Sequence, residues 1–179
     1  MKAHNEDTKR FEQLILPHLN AAHNLACWLT RSDSAAQDIV QESCLRAFKS
    51  LHRFAGGNVR AWLLTIVRNQ SYTWLKESAG ERYYVDINDE AVMSEKDRTA
   101  LAHMDTPEIW TQRMQDRHAL QQGLEALPVI FREVIVLKEL EDMSYKEIAG
   151  VTEVPIGTVM SRLARGREML KKELLRHDQ

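Results

Sequence analysis

The chain has 179 residues and a formal net charge of −2, from 24 Lys+Arg against 26 Asp+Glu. That length suits one ordinary domain or two small ones, and 44% hydrophobic with 28% charged residues is the composition of a folded protein. No apolar run approaches the ~18 residues of a membrane-spanning helix, residues 1–7 lack the apolar core of a signal peptide, and two cysteines without a CxxC pair point to a reducing cytoplasm rather than a disulfide scaffold or zinc ribbon.

Residues 8–29 carry apolar positions at helical spacing from Phe11 to Leu29 and predict a first helix. Ser34 and Gln37 have the spacing of a capping box, opening a helix to about Leu51. Its inward stripe is Val40, Cys44, Ala47/Phe48 and Leu51; its other face shows Asp38, Gln41, Glu42, Leu45 and Lys49. Leu45 is an apolar residue on an otherwise polar stripe, a hint of a partner surface. Gly56-Gly57 breaks the pattern, and a third helix spans about Val59–Lys76. Residues 77–106 lack a clear period, are rich in Asp, Glu, Ser and Thr, and read as a linker. Thr106-Pro107-Glu108 has the signature of a helix start, and that helix runs to about Leu127. Pro128 opens another to about Leu140, with Ile130, Val134 and Leu137 inward. The expected fold is therefore all-α: two small helical domains, residues 1–78 and 107–179, joined by a flexible acidic linker, 79–106.

Ser144 and Glu147 form a second capping box, opening a short helix. A tight connection over residues 151–155 and a last helix from about Ile156 to Leu175 complete a helix-turn-helix. At 100° per residue, Val159, Leu163, Gly166, Leu170 and Leu174 fall within about 80° and form a buried stripe. Thr158, Ser161, Arg162 and Arg165 form a polar stripe that starts at the helix N-terminus, the end that enters the major groove in this motif. Arginine pairs bidentately with guanine, and Ser or Thr reaches bases or phosphates. Arg167, Lys171 and Lys172 flank the stripe and suit backbone phosphates.

The charge is segregated. Residues 45–84 carry net +5 and residues 154–179 net +3, while residues 85–153 carry −8. Seven of the 12 aromatic residues also fall in 45–84: Phe48, Phe54, Trp62, Tyr72, Trp74, Tyr83 and Tyr84. Cations interleaved with rings suit single-stranded nucleic acid; of these rings, Phe48 and Trp62 are expected in the core. Attraction to phosphate decays within about 10 Å at ordinary salt, so local charge decides binding. The overall −2 instead predicts that the free chain binds DNA poorly, with acids of the linker shielding the basic faces.

Two blocks of residues now resemble a known family. Asp38-Ile-Val-Gln-Glu-Ser-Cys-Leu-Arg-Ala-Phe48 with Arg60-Ala-Trp-Leu-Leu-Thr-Ile-Val-Arg-Asn69 is similar to the second region of bacterial RNA polymerase sigma factors of the small, extracytoplasmic-function group. Leu124-Glu-Ala-Leu-Pro128, Phe131–Lys138, Ser144–Ala149 and Gly157–Arg167 resemble the fourth region. The resemblance implies that Asp38, Gln41, Glu42, Leu45 and Lys49 dock on the clamp helices of the polymerase's largest subunit, with the flap region as a second contact. It implies that Phe54, Arg60, Trp62, Arg68, Asn69, Tyr72 and Lys76 open and hold the −10 element. Thr158, Ser161, Arg162, Arg165, Arg167 and Lys172 would read the −35 element as duplex. It also implies an anti-sigma partner. A linker of about 25 extended residues reaches ~80 Å, more than two duplex turns of ~34 Å. Two positions depart from the pattern: Met160 stands where many relatives carry Lys or Arg, and Glu153 where many have Gly.

A rival reading, an autonomous helix-turn-helix repressor or activator, needs a dimerisation surface matched to two half-sites, and no heptad seam is present. An enzyme is not expected: the seven histidines are scattered, and no HExxH, P-loop or glycine-rich phosphate loop appears. No cofactor and no metal site are expected, and Cys27 and Cys44 read as small buried hydrophobes.

Overall fold

A computed structural model describes residues 2–79 and 117–177. The expected linker beyond Ala79, the helix start at Thr106-Pro107 and the rings of Tyr83 and Tyr84 lie outside the described residues. Two helical domains stand on either side of that gap, with no strand among the described residues.

The first domain begins with α1 (Lys2–Ile15), a 3₁₀ turn (Leu16–His18) and α2 (Leu19–Thr30). The single helix expected over 8–29 is thus two, because Pro17 has no N–H for the ladder and its ring clashes with the preceding turn. Helix α2 stops at Arg31, whose φ of 56° is left-handed and whose N–H returns to the Cys27 carbonyl at 2.8 Å. Helix α3 (Asp33–Ser50) is capped by Ser32, which accepts from the Ala35 N–H at 3.2 Å. Ser34 is not the cap, and Gln37 donates to the Asp33 carboxylate at 2.7 Å instead of closing a box. The buried stripe of α3 is Ala35, Ala36, Ile39, Ser43 and Ala47. Ala47 and Leu51 are buried as expected, but Ile39 and Ser43 take the places of Val40 and Cys44, and Val40, Cys44 and Phe48 are half-buried. Gly56 and Gly57, at φ 103° and 100°, make the predicted break. Asn58 then accepts from the Ala61 N–H at 2.9 Å and starts α4 (Val59–Ala79). Ile15, Leu25, Leu29, Leu63, Leu64 and Val67 are fully buried among these helices, each contributing roughly 1.5–3 kcal/mol. Trp62, like Phe48, is at the rim: Phe48 meets Phe11 edge-on at 5.4 Å and Trp62 lies 5.0 Å from Phe54.

The second domain holds α5 (Arg117–Ala126), α6 (Val129–Ile135) running into a π-helical turn (Val136–Leu140), α7 (Tyr145–Thr152) and α8 (Ile156–His177). Every residue from Val129 to Leu137 is buried, including the predicted Ile130, Val134 and Leu137. The capping box forms as the sequence predicts: Ser144 accepts from the Glu147 N–H at 3.2 Å and Glu147 accepts from the Ser144 N–H at 2.7 Å. The predicted stripe of α8, Val159, Leu163, Gly166, Leu170 and Leu174, faces the core. At Gly166 a Cβ would come within 2.9 Å of Ile135 Cδ1, so glycine permits the close approach of α8 to α6.

The domains pack on each other. Helix α4 lies against α7, and α2 lies against α6 and the π turn. Their buried residues form one continuous apolar cluster.

Candidate nucleic-acid interface

Helix α3 presents Asp38, Gln41, Glu42, Leu45 and Lys49 to solvent, as the i, i+3, i+4 spacing dictates. Leu45 is 51% exposed, a large apolar side chain on a charged face. Glu42 accepts from Arg46 at 2.8 Å along the same helix.

The basic residues of α4 and α8 are placed differently. Glu133, at 0% exposure, stands between the two helices. Arg68 of α4 donates to it through Nε at 2.7 Å and Nη2 at 3.1 Å, a bidentate pair. Arg162 of α8 reaches the same carboxylate at 3.4 Å. One buried acid therefore joins the two helices that carry the predicted DNA contacts. Burial works against the charge on Arg68, but Glu133, then Tyr72, more than offsets it, so the guanidinium is held firmly protonated. Tyr72 lies under Arg68 at 4.3 Å.

Glu141 repeats the pattern. Arg60 donates to its carboxylate and to its backbone carbonyl, both at 2.6 Å, and Asn24 donates to the other carboxylate oxygen at 2.6 Å. Arg60, with burial the larger cause, also pushes the nearby His18 imidazole below its ordinary pKa. Arg167 donates to Glu139 at 2.6 Å. Asn58, at the start of α4, donates to Glu147 of the second domain's capping box. Two buried backbone ends are tied as well. Arg132 donates to the Glu125 and Leu127 carbonyls at 3.1 Å and to Leu29 at 3.3 Å, a cation at helix C-termini. Arg31 reaches the Leu127 carbonyl at 3.4 Å.

The remaining predicted residues separate by exposure. Asn69 and Lys76 of α4 are exposed; Phe54 and Trp62 pack on each other. Ser161 and Arg162 are buried, Thr158 is half-buried, and Arg165 lies over the Phe131 ring at 5.3 Å. Lys172 is exposed beside Glu168 at 2.9 Å, a pair worth little. The solvent face at the start of α8 is instead Ile156, Gly157 and Met160. Angle alone could not anticipate this, because a helical wheel carries no information about what packs on the helix: Glu133 and Phe131 of α6 meet Arg162 and Arg165. Glu133 and Glu141 were not singled out from sequence. A signal for Glu133 existed: Arg132-Glu133 interrupts an otherwise apolar run from Val129 to Leu137, and buried charges are almost always paired.

The cysteines differ from the expectation too. Both are half-buried rather than core. Burial pushes both thiols up in pKa, and beside Cys27 the Asp33 carboxylate adds to the effect.

An all-helical pair of domains, the second with a capped helix-turn-helix and both with arginines grouped on one helix, defines a DNA-reading protein of two modules. Known families match both modules: the Sigma-70 region 2 model covers residues 14–80 and the Sigma-70, region 4 model covers residues 117–170. The chain is 31% identical over 170 residues to the ECF RNA polymerase sigma-E factor of Haemophilus influenzae, spanning 94% of this chain and 89% of that one. It is 29% identical to the RNA polymerase sigma-H factor of Pseudomonas aeruginosa, over 94% and 88% of the two chains. It is also 29% identical to the ECF RNA polymerase sigma factor SigE of Mycolicibacterium smegmatis, over 93% of this chain but 62% of that protein. Among solved structures, the sigma factor RpoE of Bartonella quintana, in complex with the anti-sigma factor NepR, superposes with a TM-score of 0.68 at 26% identity, covering 96% of this chain and 99% of that one. The chain belongs to the extracytoplasmic-function group of RNA polymerase sigma factors. These relatives favour a promoter-recognition subunit over an autonomous repressor or activator.

Proposed function

We propose how this sigma factor divides its work among its surfaces. The module of residues 1–78 docks on core RNA polymerase through the exposed face of α3, with Leu45 as the apolar anchor and Asp38, Gln41, Glu42 and Lys49 around it. Its α4, with Phe54, Arg60, Trp62, Arg68, Asn69, Tyr72 and Lys76, engages the melted −10 element. The module of residues 107–179 reads the −35 duplex through α8, with Thr158, Ser161, Arg162, Arg165, Arg167 and Lys172, and meets the flap region of the polymerase. The chain acts in the cytoplasm, and an anti-sigma factor is a partner by analogy with the Bartonella protein's complex.

One observation carries this reading. Two arginines assigned to promoter DNA, Arg60 and Arg68 of the first module, meet Glu141 and Glu133 of the second, while Arg162 and Arg167 meet Glu133 and Glu139 within their own module. Glu133, Glu139 and Glu141 stand where phosphates or base acceptors would be needed. The arrangement is a DNA-free closed form, and promoter binding requires the modules to part. The acids that meet arginines across the modules, among the described residues, are Glu133 of α6 and Glu141 just past the π turn. No described helix is long and apolar enough to cross a membrane.

The test compares the free chain with reconstituted holoenzyme on promoter fragments. Capture of core polymerase, with promoter binding by holoenzyme and not by the free chain, supports the proposal. Tight duplex binding by the free chain, or no capture of core polymerase, overturns it.

A further inference from the structure

Outside the promoter-facing surfaces, His23 and Cys27 stand one turn apart on α2, and Asp33 opens α3 across the left-handed Arg31 turn. Their donor atoms meet. His23 Nε2 lies 3.2 Å from Asp33 Oδ1, Cys27 Sγ lies 3.6 Å from His23 Nε2, and Cys27 Sγ lies 3.8 Å from Asp33 Oδ1. A tetrahedral Zn²⁺ with bonds of about 2.0–2.3 Å separates neighbouring ligand atoms by about 3.3–3.6 Å. The three separations are close to the edges of that tetrahedron.

We propose that His23, Cys27 and Asp33 form a binding site for a borderline-soft divalent cation of the Zn²⁺ type. The donor set, one thiolate, one imidazole and one carboxylate, is that of zinc rather than of calcium or magnesium. Thiolate and carboxylate together supply the two negative charges that the cation balances, and binding releases the thiol proton. Three protein ligands leave the fourth position to water, as in open zinc sites. The carboxylate is already oriented: Gln37 donates to Asp33 Oδ2 at 2.7 Å, leaving Oδ1 toward the cluster. The Ser32 cap fixes the first turn of α3 on which Asp33 rides. The site is accessible, since the Asp33 side chain is 69% exposed and that of His23 40%. Cys27 Sγ is nearly equidistant from both imidazole nitrogens, 3.6 and 3.7 Å, so loading requires the ring to turn Nε2 toward the shared point. This departs from the expectation of no metal site. The His23–Cys27 pair at i, i+4 on one helix is a local signal for it.

The experiment titrates Co²⁺ into the full-length, reduced, metal-free chain and follows sulfur-to-metal charge transfer and the visible bands of tetrahedral cobalt, with Zn²⁺ as competitor. One equivalent of Co²⁺ is expected to produce both signals, and Zn²⁺ to abolish them. Cys27→Ser is expected to lose the charge-transfer band, Asp33→Asn to weaken binding, and Cys44→Ser to keep the full signal. Because Asp33 is exposed, D33N tests the site even where C27S folds poorly. A chain that gives no tetrahedral spectrum, or one whose spectrum persists in C27S or follows Cys44 instead, overturns the proposal.

Discussion

The exposed face of α3 and the basic faces of α4 and α8 are all rich in charge, yet the closed form treats them oppositely. On α3, Leu45 and its charged neighbours are open. On α4 and α8, Arg60, Arg68, Arg162 and Arg167 are engaged by Glu133 of α6, Glu139 of the π turn and Glu141 just past it. The difference lies in what each face must meet. A protein partner can dock on α3 without rearranging anything. If α4 and α8 meet DNA as proposed, it must first displace the buried acids Glu133 and Glu141. This predicts an order of events: polymerase binds the closed chain, and the promoter surfaces are released afterwards.

The largest expected effect comes from breaking the buried side of that contrast. Removing one partner of a buried ion pair typically costs about 3–5 kcal/mol, mostly because the other charge is left unsatisfied. Glu133 holds two arginines at once, so Glu133→Gln is expected to weaken the closed form by about 3 kcal/mol. The free chain would then bind promoter duplex at least tenfold more tightly, and its radius of gyration in solution scattering would increase. An unchanged affinity and radius would show that Glu133 does not hold the modules together.

The open side is tested by Leu45→Asp. An exposed position tolerates the change within about 0.5 kcal/mol of stability. Loss of an apolar anchor at an interface costs roughly 2 kcal/mol or more. Core polymerase affinity should therefore fall more than tenfold in a binding titration, with thermal melting unchanged. Equal binding would mean that the exposed leucine is not a docking anchor.

The difference between the two sides also explains what could be read from sequence. Local chemistry was legible. The Ser144–Glu147 box, the Gly56-Gly57 break, the buried stripe of α8 and the polar face of α3 follow from spacing within one helix. Errors arose where two local signals competed. Pro17 split a convincing apolar period, and Ser32 took the cap that Ser34 seemed to offer. What remained hidden was long-range: no periodicity in α8 says that Arg162 will face Glu133, 29 residues away, or that Arg68, 65 residues away, will share it. The His23–Cys27–Asp33 cluster is local by comparison, an i, i+4 pair joined by an acid six residues on, and only the Arg31 turn that brings Asp33 beside α2 was hidden.

A smaller effect sits at the edge of the interface. Glu147 closes the α7 capping box and also accepts from Asn58, the cap of α4. Hydrogen bonds from Ser144, backbone first, hold its carboxyl below the ordinary glutamate pKa. A depressed carboxylate stabilises the fold above its unfolded pKa, and that contribution is lost as pH falls through the folded value. Below the usual glutamate range near 4.3, stability should therefore drop in the wild type more than in Glu147→Gln. Ser144→Ala should cost about 1 kcal/mol at neutral pH in urea unfolding. A pH profile identical in E147Q would remove this carboxylate from the acid response.

The last prediction isolates the helix-turn-helix from the closure. Glu153 ends α7 at φ 57°, a left-handed conformation that disfavours any residue with a Cβ. Glycine would relieve the strain, and the strain is local. Glu153→Gly is expected to stabilise the second domain by about 0.5–1 kcal/mol, the left-handed cost outweighing glycine's greater freedom in the unfolded chain. Because Glu153 is exposed and is not among the residues bonded across the modules, free-chain DNA affinity and radius of gyration should stay as in the wild type. A change in either would mean that the turn geometry, and not only Glu133 and Glu141, sets how the modules close.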